Sequence, residues 1–172
     1  MDEPTLTIVL RLVHILAGVF WVGAIFVIAG FLMPTAHSVG PESGRFMQHL
    51  MLRRRLPIFL WGAMLLTVIS GFTMYARMTA ATHGTWASTA PGIGYGVGGL
   101  AAILAAILGG AISGPAARRL GAIGQQAAQS GGLSAEQQSE VQRLQSRATL
   151  GSRLTAGLLA VATGAMAIAR YL

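Results

Sequence analysis

The chain has 172 residues, 53% of them hydrophobic and only 10% charged, with mean hydropathy +0.63. A soluble domain carries about a quarter charged residues, so this composition excludes one and describes an integral membrane protein. There is no cysteine, which removes disulfides, thiolate metal sites and cysteine nucleophiles, and the net charge of +7 comes from arginine alone, since the chain holds no lysine.

In chain order, Met1 to Pro4 form a short acidic lead with Asp2 and Glu3. The lead lacks a basic n-region and a small-residue cleavage site, so the apolar run behind it reads as a retained transmembrane helix and not a signal peptide. This first span covers about residues 5–33, long enough to cross a ~30 Å hydrocarbon core with tilt. Pro34 is expected to stop it. A polar turn-rich loop follows, then RFMQHLMLRRRLP, which reads as an interfacial helix with Phe46, Met47 and Leu50 on its apolar face. The second span covers about 56–78, with Pro57 at an early position that needs no amide donor. A Thr/Ala/Gly loop leads to a third span, about 93–113, crowded with Gly and Ala and ended by Gly114 and Pro115. Residues 114–153 turn polar, and Ser134 with Gln137 makes a capping-box start for a helix that continues into the fourth span, about 154–172. The expected architecture is therefore all-α: one transmembrane four-helix bundle, residues 1–172, with an amphipathic helix before span four. Two helical hairpins are the natural division, without a convincing internal repeat.

Arginine placement sets the expected orientation. The segments 34–55 and 114–153 hold Arg45, Arg53, Arg54, Arg55, Arg118, Arg119, Arg143, Arg147 and Arg153, whereas the other side has only Arg11, Arg77 and Arg170. By the positive-inside rule the two basic segments face the cytoplasm, and both termini face out. The high basicity is then an orientation signal and a contact with lipid headgroups, with no call for a nucleic-acid partner.

An ionisable group inside a span is costly and marks function by default. His14 is such a group, in the outer half of span one, and Arg11, His14, Gly18 and Trp21 fall on one helical stripe. Two readings fit that stripe. In the first it is a cofactor slot: His14 is the axial ligand of a b-type haem, Gly18 clears room for the macrocycle, Trp21 forms a wall, and Arg11, with Arg77 and Arg170 at the same level, meets a propionate. In the second, His14 hydrogen-bonds a neighbouring helix, Arg11 snorkels, Gly18 is a packing notch and Trp21 is core. The outer-half partners left for His14 are Met74 and Met78, which share a face, with Tyr95 and Met166.

Copper is the less favoured cofactor: Cu(I) takes thioether and imidazole, which His14, Met74, Met78 and His83, or Met33, His37, Met47, His49 and Met51, would supply. Neither set has a tight metal spacing, and methionines also fill gaps. A further reading, from a different class, is a non-catalytic accessory subunit of a larger membrane complex or a homo-oligomer. The five acids, Asp2, Glu3, Glu42, Glu136 and Glu140, all lie outside the expected spans, which leaves no intramembrane carboxylate for proton relay. Thr67, Ser70 and Thr163 read as interhelical hydrogen bonders, not nucleophiles.

The pattern His14-x6-Trp21-x-Gly23 in a first span resembles the start of the copper-resistance D-like membrane proteins. It is also similar to the membrane half of cytochrome-linked urate oxidases and to the J-type protoporphyrinogen oxidase. GPAARRL and SRLTAGLLAVATGAMAIARYL resemble still more the four-span uncharacterised membrane proteins grouped near the D-like family. This resemblance covers nearly the whole chain. It implies a haem-ligand role for His14; a haem there would serve electron transfer or redox sensing, and the expected location is a bacterial inner membrane. The J-type enzymes also use a lysine in a later span, which is missing here; that argues against porphyrinogen oxidation and leaves Met74, Met78 or another histidine as any second ligand.

Overall fold

A computed structural model describes residues 3–40 and 43–172; Asp2 and Glu42 lie outside them. Every regular element among the described residues is helical, and four helices are long and apolar enough to cross a membrane. Helix α1 (Glu3–Val27) passes through a π-helical segment, Ile28–Leu32, into α2 (Met33–Val39). Helix α3 (Ser43–Gln48) and a π turn, His49–Arg53, lead to α4 (Leu56–Ala81). Helix α5 (Ala90–Leu108) passes through a second long-span π segment, Gly109–Ser113, into α6 (Gly114–Ser130), and α7 (Ala135–Ala169) returns.

The prolines account for the main departures from expectation. Pro34 does not stop span one, nor do Gly114 and Pro115 stop span three. A proline in a helix removes one amide donor and drives its ring into the carbonyl four residues back. Here a widened turn precedes each: the Met33 amide donates to the Ile28 carbonyl and the Gly114 amide to the Gly109 carbonyl, five residues back. The wider spacing gives each ring room, so the helix continues. The expected loop after residue 34 is helical as far as Val39, and Gly40, at φ +74°, makes the turn. Pro57 and Pro91 do sit in first turns, as Pro57 was expected to, and Thr89 caps α5 by accepting from the Gly92 amide.

Helix α7 is continuous from the capping box at Ser134 and Gln137 to Ala169, about 52 Å at ~1.5 Å per residue. Its first half pairs with α6 beyond the apolar bundle, around Ile123, Leu144, Ala116 and Ala148. An Arg119–Glu140 ion pair, with N–O distances of 2.8 and 3.2 Å, fastens that pairing.

The membrane-length helices join as two hairpins, α1 with α4 and α5 with α7, and touch more lightly across the middle. The shared core is Trp21, Ala63, Met64, Ala101, Ala102, Ala105, Leu159 and Ala162. The two hairpins nonetheless share residues at matching positions. Ala63, Leu65, Leu66, Val68, Gly71, Ala76 and Arg77 of α4 have the same spacing as Ala156, Leu158, Leu159, Val161, Gly164 and Ala169 of α7 and Arg170 just past its end. Aligning Pro34 with Pro115, each behind its π segment, sets His14 opposite Tyr95 and Ala29 opposite Gly110.

Candidate functional site

The imidazole of His14 lies in the interface between α1 and α4. Its Nδ1 is 2.8 Å from the carbonyl oxygen of Thr67. A carbonyl only accepts, so Nδ1 carries the proton, and in the neutral ring the lone pair is then on Nε2. Ser70 Oγ lies 3.4 Å from the same Nδ1, and its hydroxyl donates back along its own helix to the Leu66 carbonyl. The Thr67 hydroxyl likewise donates to the Ala63 carbonyl, 2.7 Å away.

A helical carbonyl is normally screened by the side chain four residues on, which stands over it on the same face. For Thr67 that residue is Gly71. A Cβ built on Gly71 would lie 2.6 Å from His14 Cε1 and 2.9 Å from Nδ1, so only glycine leaves the imidazole its place. One turn away, a Cβ on Gly18 would meet the Thr67 methyl at 3.5 Å, an ordinary contact. The two helices therefore interlock twice, His14 against Gly71 and Gly18 against Thr67.

This geometry sorts the stripe on span one. Gly18 faces α4, so it is the packing notch of the second reading and not a clearing for a macrocycle. Trp21 is 4% exposed, in the core between the hairpins, and so is no wall of an open slot. Arg77 forms an ion pair with Glu3, which occupies the charge assigned to a propionate. Arg11 is exposed. Met74 is half-buried and Met78 exposed. Tyr95 stacks on Trp86 with ring centroids 6.1 Å apart, Trp86 meets Tyr75 edge-on at 5.2 Å, and Met166 lies against Gly98; each of these has a partner of its own.

The other histidines stay apart. His37 Nε2 is 3.3 Å from Thr149 Oγ1 near the arginine-rich end, His49 is in a π turn, and His83 occupies an exposed loop at φ +49°. Among the described residues no three His, Cys, Asp or Glu side chains gather as a metal site. Two surface hollows are described, one between spans one and four and one at the α6–α7 turn, and neither touches His14.

For a haem the fit is therefore confined to one bond: a fixed tautomer presenting Nε2 suits axial ligation, because a ligating histidine almost always donates its other N–H to a carbonyl or carboxylate. Gly18, Trp21 and Arg77 do not fit the roles the slot would need. Sequence reasoning named Thr67 and Ser70 as interhelical hydrogen bonders but missed Gly71. Its signal is faint: a glycine in an apolar helix, four residues after a threonine. Comparison with protein-family models, with characterised proteins and with solved structures finds no match.

Proposed function

We propose that this protein is a multi-pass membrane redox component that takes a b-type haem on His14 Nε2, with both termini outside and the arginine-rich segments in the cytoplasm of a bacterial cell. The observation that supports the reading is the Thr67 carbonyl on Nδ1, which holds the ring and directs its lone pair. The group would supply one-electron exchange. The chain's own residues would do the rest: Thr67 fixes the tautomer, Gly71 keeps the ring's place, and Arg11 offers a charge for an anionic edge. Met74 and Met78 are the thioethers that would help to hold the group. The test is an absorption spectrum of the detergent-solubilised full chain. A Soret band that His14→Ala removes supports the proposal; colourless protein from cells supplied with haem overturns it.

A second reading, an accessory subunit without a cofactor, is favoured by the use of Gly18 and Trp21 in packing and of Arg77 in an ion pair. Here the His14 hydrogen bond serves only to fix span one on span two. Colourless protein that copurifies with larger membrane proteins would support it. Copper handling ranks third and requires metal retention that depends on Met74 or Met78.

A further inference from the structure

Between spans one and four, toward the arginine-rich end, the surface dips into a shallow, open groove of about 340 Å³ lined by Phe26, Ala29, Gly30, Pro34, Arg153 and Ala156. The repeat shows what is unusual about it. Opposite Ala29 in the other hairpin stands Gly110, and there the Trp61 ring covers the helix: a Cβ on Gly110 would lie 3.0 Å from Trp61 Cη2 and 3.4 Å from Cζ2. The alignment that pairs Ala63 with Ala156 sets Leu154 opposite Trp61 and Arg153 opposite Leu60. The groove side thus has a smaller side chain where its counterpart has an indole, and a guanidinium where its counterpart has an alkyl group.

A second polar group lies in the wall. In the register set by the Met33 amide and the Ile28 carbonyl, the next carbonyl, that of Ala29, would be met by residue 34. Residue 34 is proline and has no amide hydrogen, so that acceptor lacks its helical donor. Apolar walls, a cation at the mouth and an unserved carbonyl describe the two ends of an amphiphile. We infer that the groove holds one anionic glycerophospholipid, its phosphate on Arg153, its headgroup hydroxyl within reach of the Ala29–Pro34 turn and an acyl chain along Phe26. A free phosphate would leave the apolar walls bare, so the lipid is the source.

The test is native mass spectrometry of the full chain released from detergent micelles containing phosphatidylglycerol or phosphatidylcholine with the same acyl chains. One phosphatidylglycerol should remain bound, about tenfold in preference to phosphatidylcholine, and Arg153→Gln should lower its retention by about tenfold, the scale of one charged contact. Leu154→Trp, which copies the counterpart position, should displace the lipid with every charge in place, while Arg147→Gln on the same helix should change nothing. Equal retention of the two lipids would overturn the inference, as would equal losses in Arg147→Gln and Arg153→Gln, or displacement by equimolar inorganic phosphate. Circular dichroism checks the Leu154→Trp fold; if that variant unfolds, the two arginine variants decide.

Discussion

The two hairpins follow one plan and close in different ways. In the second, α5 and α7 meet through small residues: a Cβ on Gly98 would lie 2.7 Å from Met166 Cγ and 3.0 Å from the Ala162 carbonyl, and one on Gly94 would lie 2.9 Å from Ala169 Cβ. Backbones approach closely there, as in small-residue interfaces held by dispersion. In the first, an imidazole fills the space, and a hydrogen bond to Thr67 replaces part of that contact. Tyr95, opposite His14, turns instead to Trp86, and Gly164, opposite Gly71, has open space beside it. One hairpin thus closes by close packing and the other around a polar ring.

The comparison breaks first at Gly98. Gly98→Ala should destabilise the bundle by about 1–3 kcal/mol, since the new methyl meets a backbone oxygen that cannot swing away, as overpacking of a tight interface does. Thermal unfolding in detergent would read it, and an unchanged midpoint would refute the close approach. The twin glycines give the next effect. Gly71→Ala should push His14 off Thr67 at a net cost of about 1 kcal/mol, the worth of one hydrogen bond, and shift the imidazole resonances in NMR spectra. Gly164→Ala, with nothing within 4 Å, should be neutral or slightly stabilising through helix propensity. Equal responses at the two sites would erase the distinction between the hairpins. Gly18→Ala should change stability by no more than about 0.5 kcal/mol, the new methyl making an ordinary contact with Thr67.

The smallest effect lies beyond the bundle, at Glu140. Its carboxyl is held below the usual range by the hydrogen bond from Arg119, against the opposing effect of desolvation, with the Arg119 and Arg143 charges adding to the depression. A depressed carboxyl contributes stability above its unfolded value and loses it as pH falls through the folded one. Acidification below the ordinary carboxylate range should therefore lower hydrogen-exchange protection, corrected for the intrinsic pH dependence of exchange, where α6 pairs with the first half of α7, by a modest factor because the pair is exposed. Glu140→Gln should remove that pH dependence.

Four apolar helices, the capping box and the early-turn role of Pro57 were legible in the chain, because hydropathy and local hydrogen-bond chemistry decide them within a few residues. The helix ends at Pro34 and Pro115 were not. Whether a proline ends a helix depends on the backbone being able to widen ahead of it, and no single residue type signals that. The stripe of Arg11, His14, Gly18 and Trp21 was read as one face, but its members serve different neighbours: His14 and Gly18 meet α4, Trp21 enters the core, and Arg11 is exposed. Periodicity gives a direction from the helix axis; it does not say which helix stands there. Gly71 stayed hidden for the same reason, as its purpose exists only once span one is laid beside it. The repeat was written in Leu65, Leu66 and Gly71 against Leu158, Leu159 and Gly164, but intervening segments of different length disguised it.

The extra residue in each widened turn also steers the chain. One added residue rotates everything downstream by about 100° relative to an unbroken α-helix. Span one leans on α4 through α1 but on α7 through Ile28–Leu32, so it trades neighbours partway across the bilayer and bridges the two halves. Deleting Gly30 from that segment would swing Met33–Val39 around the axis and carry His37 away from Thr149, with no side chain lost.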